Sequence, residues 1–198
     1  MNGVGDHPMK GGWAKLLTSS VSQMGYVATP YADVQLGGST PQKTALRNDD
    51  RAVYSQALQW VVTGDQAHAD KAIEILDAWS STIEKITRDG ETDNSYVALV
   101  ASWNVHIWIA GAEIVRYYDD GAAGWSDAKV TQFDHMAQVF ETALSVWDGT
   151  PQVHPDQDKY SGTNCAFSIG LSRMALGIYT NDDTLFDEGK DHLMEPNM

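Results

Sequence analysis

Residues 48–80 read NDDRAVYSQALQWVVTGDQAHADKAIEILDAWS. Two periodic segments flank a Thr-Gly-Asp turn here, and that turn decides the fold class. The first segment spans residues 44–63 and follows the polar stretch GGSTPQK. It ends at Gly64, the residue type that terminates a helix, because glycine enters the left-handed conformation without a Cβ penalty. Asp65 then stands as the cap of a second helix. In that helix Ala72, Leu76, Trp79, Ile83 and Ile86 alternate spacings of four and three, which places them on one buried stripe. The stretch predicts a helical hairpin.

The same rhythm extends outward. A third helix over 94–118 carries Val100, Trp103, Ile107, Ala110, Ile114 and Tyr117. A fourth opens near Ser126 and carries Phe133, Ala137, Phe140, Leu144 and Trp147. A fifth follows Asn164, with Phe167, Leu171, Met174, Ala175 and Ile178 as its buried stripe. A short last helix begins near Asp182. No segment shows a run of β alternation, and no 34-residue repeat recurs. The expected fold is all-α: antiparallel helical hairpins set around an axis, with loops gathered at two ends and a cleft at one of them.

The bulk composition narrows the function. The 198 residues make one helical domain, and an apolar fraction of 42% with seven Trp supports a packed core. A net charge of −14 argues against nucleic acid, whose phosphates are read by Lys and Arg, and against an anionic membrane surface. No apolar run approaches the roughly 20 residues of a membrane span, and the first residues, MNGVGDHPMKGG, form no signal peptide. The single cysteine, Cys165, excludes an intrachain disulfide.

Three segments in order resemble the alginate lyase family of polysaccharide lyases. They are residues 48–80, then LVASWNVHIWIAGAEIVRYYDDGAAGWS at 99–126, then YSGTNCAFSIGLSRMALGIYTNDDTLFDEG at 160–189. The resemblance covers roughly residues 12–190. It implies a partial (α/α) toroid that cleaves a uronic-acid polymer such as alginate by β-elimination. That reaction needs the C5 carboxylate neutralised, a base for the C5 proton and an acid for the departing O4. The resemblance places the neutralising amide on Asn164, where the start of a helix also favours an anion. The family often has His after this Asn. Here Cys165 stands instead, either as a base with a lowered pKa or as a small buried hydrophobe. The family's other catalytic residues normally lie in a second half of the toroid, so the chain is expected to represent the N-terminal half to two-thirds. The family's place is secreted or periplasmic.

Further candidates stand around Asn164, which taken alone reads first as a helix cap. Tyr31 lies in loop 27–43, where the family has a lid. His154 and Tyr160 flank the turn before Asn164, and Tyr160 is the stand-in for a missing acid or base. Trp103, Asn104 and Trp108 on the third helix are candidate sugar contacts, the Trp rings by stacking. Arg116 and Arg173 read as structural pairs. The six His form no metal motif, and no cofactor or metal is expected. The alternative to a lyase is a catalytically incomplete helical domain that binds an acidic oligosaccharide or a partner protein. Uncovered helix faces would favour self-association.

Overall fold

A computed structural model describes residues 8–91, 95–146 and 162–194. Seven helices occur among them: α1 (Pro8–Thr18), α2 (Pro41–Thr63), α3 (Gln66–Ser80), α4 (Ser95–Tyr117), α5 (Asp127–Ser145), α6 (Gly162–Thr180) and α7 (Asp183–Met194). The hairpin that decides the fold class forms as its sequence predicts. Gly64 adopts φ 71°, and its N–H bonds Trp60 O. The Asp65 carboxylate accepts from Ala67 N. α2 begins three residues earlier than its hydrophobic pattern suggests, because Thr40 caps it through Lys43 N and Pro41 occupies the first turn, where a missing N–H costs nothing.

Contacts along the helices fix their directions. Gly111 of α4 sits against Val53 and Tyr54 of α2, and seven residues further on, Trp60 packs edge-on at 5.2 Å against Tyr118, the residue after α4. α2 and α4 therefore run the same way. Ala98 clusters with Cys165 and Ala166, and Ser172 Oγ donates to Ser102 O at 2.8 Å, so α6 runs with α4. α3 runs against α2, since His68 meets Gln56 while Trp79 Nε1 donates to Asp49. α5 runs against α6, with Phe133 on Tyr179 and Arg173 donating to Leu144 O. The result is two layers. α2, α4 and α6 form a row of like direction, and α3 and α5 back it in the opposite direction.

The buried heart lies between these layers. Trp79 and Trp108 pack at 5.5 Å, and Phe133 and Phe140 fill the α5 side. α7 folds back on α6 across a seam of glycines. A Cβ on Gly170 would sit 2.6 Å from Gly189 O, and one on Gly189 would sit 2.6 Å from Gly170 O, so the backbones approach closely only because both positions lack side chains. Asp182 caps α7 by accepting from Leu185 N.

Four expectations need correction. First, a short parallel pair of strands is present, β1 (Asp33–Gln35) and β2 (Lys85–Thr87), with Val34 opposite Ile86. Three-residue strands are too short to show alternation. Second, α3 stops at Ser80, so Ile83 and Ile86 are buried from the following loop and from β2, not from a continued helix. Third, α6 starts at Gly162, which puts Asn164 inside the first turn and not at the cap. Fourth, the apolar stripe assigned to the core of α6 is covered only at Met174 and Ala175, which are half-buried. Phe167, Leu171 and Ile178 are 50%, 46% and 61% exposed, and Ile169, Ser172, Leu176 and Tyr179 are buried in their place. α4 also differs from expectation. By length and composition the stretch Tyr96–Gly121 could cross a membrane, yet 61% of its apolar window is buried inside the protein.

Candidate functional site

The like direction of α2, α4 and α6 has an electrostatic consequence. Their N-termini lie at one end of the row, which gathers the positive ends of three helix dipoles there. Both strands and the loops leading into α2 and α4 are at this same end. Asn164 is exposed there in the first turn of α6, above a small cluster in which Cys165, Ala166 and Ile169 pack against Ala98. The buried residues beneath it hold the backbone, while its amide is free to face solvent.

Cys165 is buried in that cluster, and burial pushes its thiol pKa up. A general base would need the opposite shift, so this environment favours the small buried hydrophobe over the base. Tyr160 and His154 lie outside the described residues.

On the α2 flank of the same end, Tyr31 is half-buried at the edge of a groove of about 450 Å³. Tyr26, Thr44 and Asn48 also line it. Below the groove, Asp49 ties the loop to the helices. Its Oδ1 accepts from Tyr26 Oη, and its Oδ2 accepts from Thr29 N at 2.8 Å and from Trp79 Nε1 at 2.6 Å. Burial, then the hydrogen bond to Asp49, push the Tyr26 phenol pKa up, so it remains a donor. The loop carrying Tyr31 is thus fixed by a carboxylate with both oxygens engaged. Asp50, the next residue, is fully buried, and neither oxygen has a hydrogen-bond partner. Burial pushes its pKa up to about 8, which leaves it neutral at pH 7.

The helix α4 divides its three candidates. Trp108 is fully buried against Trp79, and Asn104 is buried with its amide donating to Val100 O at 2.9 Å. A ring with no exposed face cannot stack on a sugar, so Trp108 and Asn104 are core residues and not substrate contacts. Trp103 is different: it is 45% exposed on the opposite side of the helix. It stands eight residues into α4, about 12 Å along the axis from its start.

One cation at this end carries no strong signal in the sequence. Arg88 follows β2 and places its guanidinium 4.0 Å from the ring centre of Tyr96, in the first turn of α4. Its Nε also lies 3.6 Å from Asp89 Oδ2. The Asp89-Gly90 pair, with φ of 54° and 86°, makes the turn that holds it, and Arg88 and Glu91 exchange backbone hydrogen bonds across that turn. A turn-forming Asp-Gly was the available clue. The two arginines read as structural are so. Arg173 is buried and contacts His192, Leu144 O and Glu188, and Arg116 lies over Tyr117 and Tyr179 near the far end of α4. Among the described residues, no three His, Cys, Asp or Glu side chains converge as a metal site.

A family model for alginate lyase matches residues 27–197, most of the chain. The chain belongs to the alginate lyase family. No curated protein and no solved structure gives a match. Within the alginate lyase family, a polysaccharide lyase-like function and a polysaccharide substrate follow for this chain.

Proposed function

We propose that the chain binds a uronic-acid polymer such as alginate across the N-terminal ends of α2, α4 and α6, and acts in its β-elimination. The observation that carries this reading is the exposed Asn164 amide in the first turn of α6, at the end where three helix starts converge. In this role the amide donates to the C5 carboxylate of the sugar, and the helix dipoles and Arg88 add positive potential. Neutralising the carboxylate makes the C5 proton acidic, so a base removes it, the C4–C5 double bond forms, and the C4–O4 bond breaks with O4 taking a proton from an acid. Tyr31 contributes at the edge of the polymer path. The row of like-directed helices would be one arc of an (α/α) toroid. A secreted or periplasmic place suits such a substrate.

A net charge of −14 opposes a polyanion in general. The reading therefore needs positive potential to be local, and helix starts with one arginine supply it without many Lys or Arg.

A second reading is binding without cleavage. The buried Cys165 favours it, because its raised pKa makes the residue after Asn164 a poor base. Incubation with alginate and with glucuronan, followed by the ultraviolet absorbance of the unsaturated product, separates the two. Turnover by the wild-type chain that falls at least a hundredfold in Asn164→Ala, with an unchanged circular dichroism spectrum, is the expected result. Turnover that survives the substitution would remove Asn164 from the mechanism. Binding with no product would establish the second reading.

A further inference from the structure

We propose that Arg88 holds a second carboxylate of the polymer, on a sugar other than the one that meets Asn164. This role rests on the uronate reading and deepens it: the site takes two uronates of one chain, not a single acidic sugar. Arg88 is held from three sides. Its stem passes Gly37 in the loop that enters α2, where a Cβ would stand 3.7 Å from Arg88 Cγ. Its guanidinium lies 4.0 Å from the ring centre of Tyr96. Its backbone is fixed by the Asp89-Gly90 turn, and Leu36 N donates to Thr87 O at 2.8 Å, which ties the same loop to β2.

A guanidinium laid on an aromatic ring is already oriented, and its edge remains open as a fork of donors that matches a carboxylate. Here the side chain is 36% exposed, and among the described residues nothing accepts a hydrogen bond from its Nη atoms. Asp89 Oδ2 stands 3.6 Å from Nε, but an exposed pair at that distance contributes little and leaves the Nη edge open. The lysines of this end are engaged. Lys43 Nζ donates to Gly38 O at 3.3 Å. Lys85 Nζ lies 3.6 Å from Asp33 Oδ2, and Asp33 Oδ1 accepts from Thr87 Oγ1 at 2.6 Å.

Spacing separates the two carboxylates. Tyr96 stands in the first turn of α4 and Asn164 in the first turn of α6. Ala98 packs on Cys165 and Ala166, so the two helix starts are level. Packed helices have axes about 8–10 Å apart. A single carboxylate cannot bridge that gap, whereas two carboxylates on one chain can. Asn164 thus meets the carboxylate of the reacting sugar, and Arg88 meets another one along the chain.

The test compares an alginate tetramer with the same tetramer methyl-esterified at every carboxylate, read as KM where it is cleaved and as Kd where it is not. Arg88→Gln, with an unchanged helical spectrum, is expected to weaken the free-acid tetramer about tenfold or more and the esterified one less than about threefold. Arg88→Lys should recover only part of the loss, since it keeps the charge but not the fork. Equal effects on the two tetramers, no effect, or full rescue by Lys would each overturn the inference while leaving the uronate site in place. A wild-type chain that neither binds nor cleaves the tetramer defeats the uronate reading and Arg88's role with it. Phenylglyoxal modification of the wild type, read by peptide mass, keeps the test decisive should the variants unfold. Bound tetramer is expected to protect Arg88 and to leave the exposed Arg47 and Arg51 reactive. Arg88 that reacts as fast with the tetramer bound as without it contradicts the assignment.

Discussion

The two sides of α4 carry similar apolar residues and meet different fates. One side buries Val97, Val105, Trp108 and Ala112, while the other holds Trp103 exposed and Ile107, Ala110 and Ile114 half-buried. α6 repeats the division, with Ile169 and Leu176 inside and Phe167, Leu171 and Ile178 outside. The contrast teaches that hydrophobic periodicity reports the presence of a stripe, not its cover. Where a helix has two stripes, its neighbours choose between them.

The sharpest way to break this comparison is to truncate one tryptophan on each side. Trp108→Ala should cost about 3–5 kcal/mol, because it removes a fully buried ring packed on Trp79. Trp103→Ala should cost under about 1 kcal/mol, because its ring is 45% exposed. Equal losses in urea denaturation would show that the two sides are not distinguished as described.

A second contrast lies between neighbours on α2. Asp49 has both oxygens engaged, while Asp50 is buried with none. The folded pKa of Asp50 is raised to about 8 by burial, above the ordinary carboxylate value of about 3.8. Below about pH 4 the group is protonated in both states. Between about pH 4 and 8 the unfolded chain ionises and the folded chain does not, so stability falls as pH rises, by a few kcal/mol in all. Asp50→Asn should flatten this slope and gain most over the wild type above pH 8. A wild-type profile as flat as that of the variant would refute the buried neutral carboxyl.

The smallest effect concerns the α6–α7 contact. His192 Nε2 lies 2.6 Å from Arg173 Nη1, which requires the imidazole to accept and so to be neutral. Burial first, then the Arg173 charge, lower its pKa, while Glu188 and Asp191 pull the other way. For a His with a lowered folded pKa, stability is complete above the unfolded value of about 6.5 and declines as pH falls below it. His192→Gln should remove that decline, worth about 1 kcal/mol or less, as read by melting temperature between pH 7 and 5. An unchanged slope would assign the acid loss to other groups.

Local chemistry explains which features were legible in advance. Gly64 and Asp65 declare their roles through backbone freedom and a short acceptor side chain, so the α2–α3 hairpin is readable from a few residues. Asp182 is readable for the same reason. The strands around Val34 and Ile86 were not readable, since they are held by pairing with each other across fifty residues. At the site, Asn164 was visible through its family motif and its place before a periodic helix. Arg88 was not, because its position depends on a turn after β2 and on Tyr96 beneath it. The error on Trp108 has the same origin as the error on α6: spacing put Asn104 and Trp108 on one face but could not say that α2 and α3 would cover it.

The central claim is that the N-terminal end of the α2–α4–α6 row holds the uronate chain. Hydrogen exchange of the wild-type protein with and without alginate oligomers tests it most directly. The account predicts slowed exchange at residues 26–31, 88–97 and 162–168, with α3 and α5 unchanged. Protection confined to α3, α5 or the far ends of α4 and α6, or no protection under conditions where binding is measured, would contradict it.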